Sequence, residues 1–201
     1  LIFCGAIAIN FLIISFFKSY SLISNLIIVS SLFLIISTFL DLFKKPKFNL
    51  SRIISHLSFG LLILFIGLNH NFSVEKDFNI KLGETKKIDS YKFFLQDLKL
   101  EQNTNYKAVI GKLQISDLIT KEKKTLSPEI RIYDNPQTLT YEASIKSNFF
   151  RDYYLTMSNI DRSDYYNIKF QKKPFMIWIW ISVVMLSFGG FLSFMRYAKN
   201  N

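Results

Sequence analysis

Few side chains in this sequence have the chemistry of a reactive or ligating group: two histidines, His56 and His70, and a single cysteine, Cys4. One cysteine excludes an intrachain disulfide, a C-x-x-C pair and a C-x-x-C-H site. His56 stands out because it lies inside an apolar run, among Ile53, Ile54, Leu57 and Phe59. An ionisable residue within hydrocarbon is a functional-site candidate by default. On a helix Gly60, Ile63 and Gly67 follow it at i+4, i+7 and i+11 and share its face. Small residues beneath a histidine let a flat macrocycle lie close to the helix backbone while the imidazole reaches its iron. The same face also lets a second helix pack closely with no cofactor at all. The histidine sits only about 5 Å into the run, at a rise of about 1.5 Å per residue, so a snorkelling or interhelical hydrogen-bonding role competes with ligation. Residue type and depth leave both readings open. A six-coordinate haem needs a second axial ligand, for which the sequence shows no evident candidate.

The elements that would hold His56 follow from how charge is distributed. Half of the 201 residues (50%) are hydrophobic, yet the chain carries 25 basic and 15 acidic side chains, so the two populations must be segregated. Residues 1–17, 22–40, 53–69 and 175–195 contain no Asp, Glu, Lys or Arg, and a helix of about 20 apolar residues crosses a bilayer. The expected fold is an α-helical polytopic membrane protein with four spans and an inserted small all-β extramembrane domain, which excludes the soluble-enzyme classes. The sequence opens at Leu1 inside an apolar run, without Met, a basic n-region or an A-x-A-like site. That argues against a signal peptide and for the C-terminal part of a longer chain.

Net charge is +10, but its placement matters more than its sum. Residues 41–52 hold four basic side chains against one acidic, packed around Pro46, and Arg196 and Lys199 lie beyond the last apolar run. The positive-inside rule places both segments in the cytoplasm. The turn at 18–21 and the insert at 70–173 then lie outside, and Trp178 and Trp180 fall where an outer aromatic belt forms. No single-sign stripe remains for phosphates, so nucleic acid is set aside. The organisation expected is three helices over 1–69 with a basic loop at 41–52, a β-rich domain over 70–173, and a final helix with a short tail over 174–201.

Within the insert, residues 107–117, 129–133 and 166–170 alternate apolar and polar with period two. Leu82-Gly83-Glu84-Thr85, Ser127-Pro128, Asp134-Asn135-Pro136 and residues 159–163 supply turns. Six or seven short strands in a compact β-sandwich or small barrel are expected. Its tyrosines (Tyr133, Tyr141, Tyr153, Tyr154, Tyr165, Tyr166) read as strand and core residues rather than a stacking platform. The carboxylates are interspersed with lysines, and neither a nucleophile–base pair, a phosphate loop nor zinc-type spacing occurs. Asn10 and Asn25 are expected to hydrogen-bond between helices, and Gly189-Gly190 with Ser182 and Ser193 to form a close-packing face.

Five stretches carry a resemblance: SHLSFGLLILFIGL (55–68), VEKDFNIKLGET (74–85), SPEIRIYDNPQTLTYEASI (127–145), FRDYYLTM (150–157) and WIWISVVMLSFGGFL (178–192). In this order they resemble the C-terminal third of the CcmF (CycK) family, the haem lyase subunit of cytochrome c maturation. Residues 1–40 match it only as generic membrane helix. The resemblance implies that haem is received from the haem chaperone CcmE and joined to the C-x-x-C-H cysteines of apocytochrome c. CcmH- and CcmI-type proteins present the thiols. It also implies a membrane haem b, with His56 an axial ligand to the haem iron and Ser58 standing where the family usually has glycine. Gly60 and Gly67 would then be haem-face packing residues. The family's second axial histidine and its tryptophan-rich haem-handling segment lie upstream of Leu1, and His70 matches no family ligand. The implied location is the bacterial inner membrane, with the β-domain in the periplasm, or the mitochondrial inner membrane. Two other readings remain: a membrane-anchored scaffold or receptor without haem, and a b-haem electron-transfer subunit.

Overall fold

The computed structural model describes residues 2–15, 22–44, 49–161 and 163–200. The turn at 18–21 and Lys45, Pro46 and Lys47 of the basic loop lie outside the described residues. The chain divides into two compact units: residues 1–73, 149–151 and 174–201, and residues 74–148 with 152–173.

The first unit is helical, with α1 Ile2–Ser15, α2 Leu22–Lys44, α3 Leu50–Phe72 and α4 Met176–Asn200. Among the described residues three helices are long and apolar enough to cross a membrane, over Leu22–Phe43, Leu50–Phe72 and Met176–Lys199. The expected fourth span is corrected. α1 has 14 described residues, a length of about 21 Å against a hydrocarbon core of about 30 Å.

α3 starts where the Asn49 side chain accepts a hydrogen bond from the Arg52 N–H at 3.4 Å, as an N-cap does. It stops at Ser73, whose N–H closes on the Asn69 carbonyl at 2.9 Å while its own backbone turns extended. Residues 70–72 therefore belong to the helix, and the first strand begins at Val74 rather than at the expected boundary of 70. The Asn69 amide also donates to the Pro174 carbonyl at 2.5 Å, tying the end of α3 to the segment that leads into α4.

The second unit has ten strands: β1 Val74–Lys81, β2 Thr85–Ile88, β3 Tyr91–Gln102, β4 Tyr106–Asp117, β5 Lys123–Leu126, β6 Glu129–Asp134, β7 Gln137–Glu142, β8 Ser144–Ser147, β9 Arg151–Asn159 and β10 Tyr165–Pro174. One sheet runs β1-β10-β9-β8; the other runs β2-β3-β4-β6-β7, with β5 also paired to β4. Inward positions of both sheets alternate with outward ones, and Phe78, Phe93, Leu95, Leu113, Leu155, Met157, Ile168 and Phe170 fill the space between. Phe93 packs on Phe78 and Phe170 at ring separations of 4.6 and 5.2 Å. The count exceeds six or seven because β2, β5 and β8 have four residues each, too few for a period-two signal. Tyr153 is buried and Tyr166 packs against the core, whereas Tyr141 and Tyr165 are exposed.

Candidate functional site

His56 is the seventh residue of α3, about 9 Å from the start of the helix at about 1.5 Å per residue. Its side chain is exposed. Among the described residues its imidazole makes no hydrogen bond or ion pair, so both ring nitrogens are open to a ligand.

Gly60 and Gly67 are buried, and what covers them is α2. A Cβ built on Gly60 would stand 2.7 Å from Ile35 Cγ1, and one on Gly67 would stand 3.0 Å from Ile28 Cγ1 and 3.2 Å from Ile27 Cγ2. This is a helix–helix contact, the alternative that the sequence left open. A porphyrin lying flat on both glycines would have to displace Ile28 and Ile35, so the expected haem-face role of Gly60 and Gly67 gives way to holding α2 close. The contact also shows α2 and α3 to be antiparallel.

The opposite side of α3 meets α4. Ser51 Oγ donates to the Gly189 carbonyl at 2.9 Å, and a Cβ on Gly189 would lie 2.5 Å from Ser55 Oγ and 2.9 Å from the Ser55 nitrogen. Gly190 faces open space, so the expected close-packing pair reduces to one glycine. Ser58 is buried, and its hydroxyl donates back to the Ile54 carbonyl at 2.6 Å. α3 is thus clamped between α2 and α4, packed on opposite faces of the helix that carries the exposed histidine.

Sequence reasoning missed two features of the helical unit. His70 Nδ1 lies 2.9 Å from Ser24 Oγ, a hydrogen bond that joins the last turn of α3 to the first turn of α2. Trp178 stacks on Phe65 at 5.5 Å and meets Phe149 edge-on at 4.7 Å. Phe149 lies between two strands in sequence, so only its distant partner gives it a place. Asn10 and Asn25 depart from expectation, since their buried carbonyl oxygens have no hydrogen-bond partner among the described residues.

In the β unit two carboxylates titrate below the usual range: the exposed Glu75 of β1, through hydrogen bonds from Lys169 and Gln171, and Asp117, at the end of β4. Burial pushes its pKa up, but the N–H groups of Ile119 and Thr120, at 2.9 and 3.1 Å, and the nearby Lys172 outweigh that and hold it below the usual range. Its partners are backbone groups of a turn, so its role is structural. Among the described residues no three His, Cys, Asp or Glu side chains converge as a metal site.

Apolar helices of membrane length, interrupted by a two-sheet β unit, with the exposed His56 and His70 both on α3, define a membrane-anchored β-sandwich protein. The family model described as "CcmF C-terminal beta-sandwich" matches residues 71–174. The chain belongs to the CcmF family. It is 30% identical over 159 residues to the cytochrome c-type biogenesis protein CcmF of Haemophilus influenzae, covering 78% of this chain and 24% of that one. It is 28% identical over 140 residues to CcmF of Pseudomonas aeruginosa, covering 70% and 21%. The chain therefore spans between a fifth and a quarter of the length of these relatives. A solved structure titled "Cytochrome c Heme Lyase CcmF" superposes with a TM-score of 0.72 at 14% identity, covering 95% of this chain and 33% of that one, and so shares the fold.

Proposed function

We propose that this chain acts in cytochrome c maturation as the C-terminal part of a membrane haem lyase, with His56 an axial ligand of haem b. The observation that carries this reading is the exposed imidazole of His56, unpartnered among the described residues, on a helix of membrane length. A polar group in hydrocarbon is costly without a partner, and an iron supplies one. Neutral imidazole is the ligating form, and a ring nitrogen free of hydrogen bonds needs no rearrangement to bind. The cytochrome c-type biogenesis role named for its bacterial relatives supports the maturation part of this reading. When bound, the haem b supplies a one-electron carrier within the membrane. The chain's own residues fix its ligand: Gly60 and Gly67 seat α2, and Ser51 and Gly189 seat α4, so α3 presents His56 at a fixed height and rotation.

In this reading the β-sandwich lies in the periplasm of a bacterial inner membrane, in accord with the basic side chains at 41–52 and 196–199. It docks the haem chaperone CcmE, the CcmH- and CcmI-type proteins and apocytochrome c, and has no catalysis of its own. The haem-free scaffold reading draws on the way α2 already fills the glycine face. Haem stoichiometry of the purified family-length protein separates the two. His56→Ala lowers haem b content if His56 ligates iron; unchanged content favours the scaffold.

A further inference from the structure

The turn between β4 and β5, residues 118–122, is built to hold apolar side chains out in solvent. Asp117 accepts from the Ile119 and Thr120 N–H groups. The Leu118 N–H donates to the Ser90 carbonyl at 2.7 Å, and the Asp117 N–H donates to the Glu122 carbonyl at 2.9 Å. So fixed, Leu118 is 43% and Ile119 78% exposed. The turn lies at a defined end of the sandwich. Asp117 pairs with Tyr91 across β3 and β4, and the Tyr91 hydroxyl accepts from Lys172 Nζ at 2.9 Å. Lys172 in turn pairs with Val74, the residue that follows α3 and Ser73. The turn thus occupies the strand ends from which β1 and β10 connect to the membrane-length helices.

Beside it, the register sets Lys87 against Lys92, Lys92 against Ser116, and Ser116 against Lys123, in one row on the outer face of the sheet. Lys121 joins them from the turn, with a left-handed φ of 58°. Among the described residues none of these four lysines has a carboxylate partner. The nearby acids are engaged elsewhere: Glu122 with Lys124 at 3.2 Å, Asp89 with Lys76 at 2.5 Å, and Asp117 with the turn. Like charges directly opposed across strands, as Lys87 and Lys92 are, are unfavourable. Guarding a sheet edge accounts for Lys87 on β2 but not for Lys92 on an interior strand. Apolar side chains ringed by unpaired cations match the headgroup and acyl boundary of an anionic bilayer.

We propose that the β4–β5 turn is a lipid-contact site, in which Leu118 and Ile119 enter the interface and Lys87, Lys92, Lys121 and Lys123 take anionic phosphate headgroups. The test uses the whole chain with Cys4→Ala, a fluorophore on Ile119→Cys, and a control fluorophore on Asn103→Cys in the turn at the opposite end of β3. Each is reconstituted into phosphatidylcholine vesicles with or without phosphatidylglycerol, containing a doxyl-labelled lipid quencher. The expected result is quenching at position 119 at least about five-fold above that at position 103. It is stronger with phosphatidylglycerol and falls by at least about half in Lys92→Gln/Lys123→Gln. These lysine changes relieve repulsion and leave the fold intact, which circular dichroism checks. Equal quenching at positions 119 and 103 would overturn the site. Quenching that ignores both phosphatidylglycerol and the lysines would overturn its headgroup chemistry.

Discussion

Replacing Gly189 by alanine tests whether α3 is held where the structure has it. The added Cβ falls 2.5 Å from Ser55 Oγ, which can rotate away, and 2.9 Å from the Ser55 backbone nitrogen, which cannot. Restoring a separation of about 3.5 Å requires a shift between the two helix backbones of roughly half an ångström. That shift strains the bond from Ser51 Oγ to the Gly189 carbonyl. Overpacking of this kind costs about 1–3 kcal/mol, against which alanine returns about 1 kcal/mol of helix propensity. Gly190 meets nothing within 4 Å, so Gly190→Ala keeps the propensity gain without the clash and serves as the matched control. The two variants are expected to differ by about 1–3 kcal/mol in unfolding free energy, with Gly189→Ala the weaker. Titration into dodecyl sulfate, followed by the fluorescence of Trp178 and Trp180 on α4, measures the difference. A Gly189→Ala protein as stable as Gly190→Ala would refute the packing, and with it the clamp on the helix that carries His56.

Three further outcomes follow from the same geometry. The Asp117 carboxyl has a depressed pKa in the folded chain, so its contribution is present above the unfolded value of about 3.9 and is lost as pH falls through the folded value. Melting temperatures across acid pH show that loss in the parent, and Asp117→Asn weakens it. Phe93 is fully buried among aromatic rings, and Phe93→Ala destabilises the β unit by about 3–5 kcal/mol in urea unfolding. Ser24→Ala removes the bond to His70 and costs only about 0.6 kcal/mol; loss of the helical fold on that change would mean that the contact carries more than a membrane hydrogen bond does.

His56 was legible in the sequence because an ionisable group in an apolar run needs no alignment to be noticed. Its surroundings were not. A glycine face at i+4 and i+11 offers the same flatness to a porphyrin and to a helix, and only the position of Ile28 and Ile35 shows which one lies there. The long strands β4 and β10 showed their alternation, while four-residue strands such as Lys123–Leu126 carry too few positions to reveal a period. The edge-on contact of Phe149 with Trp178 joins residues far apart in sequence, and no local pattern encodes it. The lysine row across β2, β3 and β5 needs strand register before Lys87, Lys92 and Lys123 become neighbours.

The most direct measurement of the central claim is imidazole rescue. In the family-length protein carrying His56→Gly, the reduced-haem spectrum is recorded before and after addition of imidazole. Ligation by His56 predicts a lowered or altered haem b spectrum that added imidazole returns toward that of the parent, because the free ring occupies the cavity left by the side chain and binds the same iron. A His56→Gly protein with the parent's spectrum and haem content, indifferent to imidazole, would contradict the claim and leave His56 a bystander on α3.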